Sequence, residues 1–260
     1  MTTETEFRAA VERERILVFA AMAILIVLAW SYTINVGLKS AALSEALAMP
    51  TMKSWSTADF GYMFAMWAVM MVAMMLPSVT PMIFLFGQVR AKRKSAGRSY
   101  APTAAFVGGY LLAWFGVSLL ATLVNWGLHS GDALSSMMGR VAPQTGGILL
   151  MAAGIFQWTP LKRTCLDHCR SPLAFLTQNW RDGIPGATWM GLHHGAYCLG
   201  CCWLLMALLF VLGVMNLPWV ALLTVVVLAE KILPRGEILS RGLGILLVIW
   251  GGWLATTGWN

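Results

Sequence analysis

The sequence predicts an all-α fold: a polytopic transmembrane helical bundle of about seven spans, N-terminus cytoplasmic and C-terminus periplasmic. Three observations predict it. Apolar residues make up 58% of the 260-residue chain and charged residues only 11%, against about 25% charged in an average globular protein. A soluble fold would lack the polar side chains to cover such a core. The apolar residues fall in long runs, seven of which approach the length needed to cross a bilayer, roughly 20 residues for about 30 Å of hydrocarbon. The basic residues gather in short blocks between alternate runs, the asymmetry that orients membrane helices. Secreted, collagenous, disordered and DNA-binding classes are thereby excluded. The formal charge of +7 reads as a topology signal held by anionic membrane lipid, with no nucleic acid as partner.

The runs lie near residues 16–36, 60–86, 102–128, 141–161, 194–215, 218–233 and 239–258. Residues 1–15 form a cytoplasmic N-terminal segment of mixed charge, and 16–260 a single transmembrane domain. The first run is a retained helix and not a cleaved leader. Its core is too long, Glu4, Glu6, Glu12 and Glu14 precede it, and Ala46-Leu47-Ala48 lies too far downstream. In the second run Pro77 and Pro81 remove two backbone donors, which predicts a kink or unwinding near Ser78 and Thr80. Pro102 and Pro218 suit the first turns of the third and sixth helices. A cytoplasmic loop is expected at about 162–193. The sixth run is short and carries Glu230-Lys231 in its last turn, so whether it fully spans stays open. With this division fifteen Lys and Arg fall inside, and only Lys39, Lys53 and Arg140 outside.

All five cysteines lie between Cys165 and Cys202, an odd count in one place, which points to metal or redox chemistry and not to a disulfide framework. Cys165, His168 and Cys169 share one face of a helix; so do His194, Cys198 and Cys201, with Cys202 one turn beyond Cys198 and His193 adjacent. Gly191 and Gly195 would admit another backbone at the same level. Thiolate and imidazole are ligands that Cu(I) and Zn(II) prefer. The candidate metal ligands are therefore Cys165, His168, Cys169, His193, His194, Cys198, Cys201 and Cys202. Both halves are expected at the cytoplasmic ends of the fourth and fifth spans, where thiols stay reduced.

Met63, Met66, Met70 and Met74 share a face of the second span, and Met71, Met75 and Met82 the adjacent one. Thioethers select Cu(I), so the first row is a candidate relay; methionine is also a flexible packing residue. Glu230 in a span must be paired, neutral or wet. Its expected partners are Lys231, Arg235 or Arg241, unless it serves the thiol site as an accessory.

The segments 66–82 (MWAVMMVAMMLPSVTPM), 159–172 (TPLKRTCLDHCRSP) and 193–203 (HHGAYCLGCCW), with the tail from Glu230 through Arg235 and Gly236 to Arg241 and Gly244, resemble the bacterial family of predicted metal-binding integral membrane proteins. The resemblance runs from about Phe60 to Trp253. It implies a multi-pass domain of the bacterial inner membrane with a metal site whose ligands fall on Cys165, His168, Cys169, His194, Cys198, Cys201 and Cys202. The expected function is binding of a soft ion, copper(I) before zinc, for handling or delivery, with a metal chaperone or another membrane subunit as partner. Two alternatives stand beside it: a membrane thiol redox protein using Cys198 and Cys201, and a non-catalytic subunit of a larger membrane complex. No nucleotide loop, hydrolase triad or carboxylate pair is present in the sequence, so an ordinary enzyme is not expected.

Overall fold

The structure, a computed structural model, describes residues 2–46, 56–95, 101–130, 134–135, 140–214 and 216–257. Lys53, Arg98 and Asn260, on which part of the predicted orientation rests, lie outside them. The described residues are almost wholly helical. In chain order the helices are α1 (Thr2–Ala46), α2 (Thr57–Ser95), α3 (Thr103–Ser130), α4 (Pro143–Phe156), α5 (Pro160–Arg170), α6 (Pro172–Asn179), α7 (Gly183–Ala207), α8 (Leu209–Leu212), α9 (Leu217–Ile232) and α10 (Gly236–Thr257). Between α3 and α4 the two-residue strands β1 (Leu134–Ser135) and β2 (Arg140–Val141) pair antiparallel.

Among the described residues, five stretches are long and apolar enough to cross a membrane: Arg15–Lys39, Thr57–Arg93, Thr103–Ser130, Gly183–Leu212 and Gly236–Thr257. The other two expected spans are shorter. Helix α4 has 14 residues and α9 has 16, or about 21 and 24 Å at 1.5 Å per residue. Prolines set those lengths. Pro143 opens α4 and Pro160 opens the next helix after a turn at Gln157–Thr159, while Pro218 and Pro234 bracket α9.

The expected loop at 162–193 is instead helical. Pro160 and Pro172 each sit in a first turn, where no N–H is needed. The Thr159 hydroxyl caps α5 by accepting the Lys162 amide at 3.3 Å. Helix α7 then begins at Gly183, well before the expected start at residue 194. Helix α2 does not unwind at its prolines: it continues through Pro77 and Pro81. Pro77 has no N–H for the Ala73 carbonyl, and Trp30 Nε1 donates to that oxygen at 3.1 Å. Ser78 and Thr80 hydroxyls return to the carbonyls of Met75 and Leu76.

The centre of the molecule is α2, α3 and α7. Met66, Trp67, Met70, Met74 and Met75 of α2, Phe106, Tyr110 and Trp114 of α3, and Met190, Cys198 and Leu205 of α7 are all buried. Helix α1 leans on α2 and leaves Ile24, Leu25, Val27 and Leu28 exposed, a surface suited to lipid. Helices α3 and α7 touch backbone to backbone. A Cβ on Gly109 would run into the Thr188 carbonyl, and one on Gly191 into the Phe106 carbonyl. Small residues allow such contact, and in lipid close packing is what holds helices together.

Gly191→Ala should therefore destabilise the bundle by about 1–3 kcal/mol, the usual cost of overpacking. Thermal unfolding in detergent should show a lower midpoint for this variant. Gly116→Ala, whose new methyl meets nothing within 4 Å, should unfold like the parent.

Candidate metal centre

Helix α5 is short and amphipathic, and its inner face carries the site. Lys162, Cys165 and Leu166 are buried and Cys169 partly so, at i, i+3, i+4 and i+7. The helix folds back along α7. Cys165 Sγ lies 2.7 Å from where a Cβ on Gly200 would stand, so the absent side chain makes room for the thiol. One turn on, Cys169 comes close enough to Cys198 and Cys201 to interact with both thiols. Cys202 interacts with the same two residues from within α7. Four sulfurs from two helices thus make one contact group, with Cys165 beside it, and all five cysteines are free thiols.

The α7 cysteines sit midway along the Gly183–Leu212 stretch. This corrects the expectation that the second group sits at a helix end: α5 packs against the middle of α7. The thiols of Cys201 and Cys202 both donate to the Cys198 carbonyl at 3.0 Å. Cys198 Sγ faces two groups from other helices, Lys231 Nζ at 2.9 Å and Tyr110 Oη at 3.1 Å. Tyr110 also reaches the Met75 carbonyl at 3.2 Å. Lys231 in turn donates to Ser78 Oγ at 3.0 Å. Outside the long apolar helices, hydrogen bonds to the Cys198 and Cys201 sulfurs, then burial, hold the Cys169 thiol well above its ordinary value. Burial and the nearby Cys201 push Cys165 up as well.

The three candidate histidines divide. His194 is buried among Phe106, Tyr110 and Phe175, and its Nδ1 has no hydrogen-bond partner among the described residues. His168 stacks on Tyr197, with centroids 4.2 Å apart, and its Nδ1 lies 2.8 Å from the Thr164 carbonyl. His193 packs on the same tyrosine and on Phe175. Met66, Met70 and Met74 are buried and Met63 half-buried. The i, i+4 row they form continues to Ser78, the residue that holds Lys231 against Cys198.

Glu230 is buried, but its partner is none of those expected. Lys162 Nζ lies 2.8 Å from each carboxylate oxygen and also donates to Gln157, while Ser240 Oγ donates to Glu230 at 2.8 Å. Lys162, Lys231 and Tyr110 were thus missed as parts of the site. Lys162 left a trace in the sequence, three residues before Cys165 and on the same helical face, and Lys231 drew notice as a partner for Glu230.

A soft ion suits this donor set. Sulfurs are the majority, and an imidazole nitrogen without a partner among the described residues lies one turn from Cys198. Among the described residues no three His, Cys, Asp or Glu side chains are already arranged around a common point as ligands. The sulfurs stand as hydrogen-bonded thiols, and Cys201 and Cys202 must turn from the Cys198 carbonyl before they can ligate.

A family model described as PpoB2, copper chaperone, matches residues 64–254, which include all five cysteines and the methionine row from Met66. No curated protein and no solved structure matches.

Lys162→Met leaves the Glu230 carboxylate buried without its cation, a change that typically costs about 3–5 kcal/mol. The variant should lose most of its folded yield in detergent. The double variant Lys162→Met, Glu230→Leu should recover much of it, since replacing a buried pair by apolar groups is commonly neutral.

Proposed function

The chain belongs to the PpoB2 copper chaperone family, and from that membership we propose that it is a multi-pass protein of the bacterial cytoplasmic membrane that binds Cu(I) for delivery. The observation that carries this reading is the sulfur group: Cys169 of α5 against Cys198, Cys201 and Cys202 of α7. These four are the proposed ligands, with Cys165 and His194 at their edge. His168 and His193, packed on Tyr197, flank the site. The excess of inward Lys and Arg supports an N-terminus in the cytoplasm and a C-terminus outside.

The copper role of the family favours copper, and nothing in the family match speaks for zinc. The methionine row adds a physical reason, because thioethers serve Cu(I) and do little for zinc. Met66, Met70 and Met74 lead along one face of α2 to Ser78, and Ser78 touches the group that touches Cys198. Soft, weak donors in file ahead of strong ones would pass an ion down a gradient of affinity. Cargo held by thiolates must displace their protons, so loading releases acid. A receiving protein, soluble or in the membrane, would have to offer thiolates of its own.

Metal content tests this. Protein purified without chelators from copper-supplied cells should carry copper, and Cys198→Ser with Cys201→Ser should carry none. Met66→Leu with Met70→Leu and Met74→Leu swaps near-equal volumes at small cost. It should bind copper added directly yet load more slowly from the outer side in vesicles. Bound zinc in place of copper, or full copper content in the cysteine variant, would refute the proposal.

A further inference from the structure

Glu230 and Lys231 are neighbours in the chain that do not pair. Glu230 turns into the core, where Lys162 and Ser240 take its oxygens. Lys231, about 100° further round α9, turns to Cys198 Sγ at 2.9 Å and Ser78 Oγ at 3.0 Å. The nearest acid in sequence is therefore already neutralised by another cation. Lys231 Nζ contacts a sulfur and a hydroxyl, with Tyr110 beside them on the same sulfur. A full positive charge has been brought to the centre of the bundle and set against the sulfur group.

We infer that Lys231 sets the charge selectivity of the thiol site, admitting a monovalent soft ion and disfavouring a divalent one. The inference rests on the copper reading and adds to it a residue that ligates nothing. An ion bonded to Cys198 at about 2.3 Å would lie within about 5 Å of Nζ, given the 2.9 Å contact of Nζ with the same sulfur. At an effective dielectric of about 20, each unit of ionic charge at that distance meets repulsion that lowers affinity roughly a hundredfold. A monovalent ion meets it once and a divalent ion twice. The methionine row acts through ligand softness; Lys231 acts through charge, and the two are independent filters on the same path.

Full-length protein in detergent, reduced and anaerobic, is titrated separately with Cu(I) and Zn(II) against competing chelators, for the parent, Lys231→Met and Lys231→Arg. The inference expects Lys231→Met to lower the ratio of Cu(I) to Zn(II) affinity at least about tenfold, chiefly by tightening zinc. Lys231→Arg, which keeps the charge, should hold the parent ratio to within about threefold. Lys231→Gln serves as the neutral variant should the methionine form not fold. An unchanged ratio in the neutral variant, or a ratio lost equally in Lys231→Arg, would overturn the inference while leaving the copper reading intact. Failure of the parent itself to bind Cu(I) would instead overturn that reading.

Discussion

Lys162 and Glu230 bring opposite charges to a place where neither could stand alone, and their pairing ties α5 to α9. Both side chains are almost wholly buried, and Gln157 and Ser240 take up hydrogen-bonding capacity that the pair leaves over. Such a pair need add little net stability, because desolvation offsets its attraction. What it adds is position. Helix α5 is too short and too polar on its outer face, with Arg163 and Asp167 exposed, to find one register by apolar burial alone. With Lys162 anchored, Cys165 comes down on Gly200 and Cys169 meets the α7 sulfurs. The same pairing occupies Glu230 and so leaves Lys231 to Cys198.

The second constraint is the backbone contact of α3 with α7 through Gly109 and Gly191. It carries Tyr110 close enough for its hydroxyl to touch both Cys198 and the Met75 carbonyl. Three helices are thereby joined at one sulfur, and a fourth, α9, arrives there through Lys231. Apolar packing fixes where the sulfurs are, and the polar contacts fix which way they point. On the proposed reading, loading would require the second to change: the thiols that now donate to the Cys198 carbonyl would have to turn away from it.

How much of this was legible in the sequence follows from the range of each interaction. The long apolar runs that became α1, α2, α3 and α10 were plain, since hydropathy is a local sum. The start of α7 was not, because Gly186, Thr188, Gly191, His193 and His194 lower that sum over a stretch that packs tightly and is still helical. Helix α6 was hidden for the same reason, and α5 was read only as a helical face around Cys165 and Cys169, although Pro160 and Pro172 announced their first turns. Clustering of cysteines between residues 165 and 202 named the candidate site. It could not say that the two halves meet at mid-helix, nor that His168 and His193 would stack on Tyr197. The partner of Glu230 lay 68 positions away, beyond any periodicity. Lys231 was read as a cytoplasmic charge and as a partner for Glu230, which is what a basic residue at a helix end beside an acid ordinarily is.

That α5 and α7 contribute sulfur to one ion is the claim on which the functional account turns. Copper-edge X-ray absorption on protein loaded with Cu(I) tests it most directly, compared between the parent and Cys169→Ser. The account predicts a first shell dominated by sulfur in the parent, and a shell that loses sulfur when Cys169 is replaced. A shell of nitrogen and oxygen, or a spectrum identical in the two proteins, would contradict it.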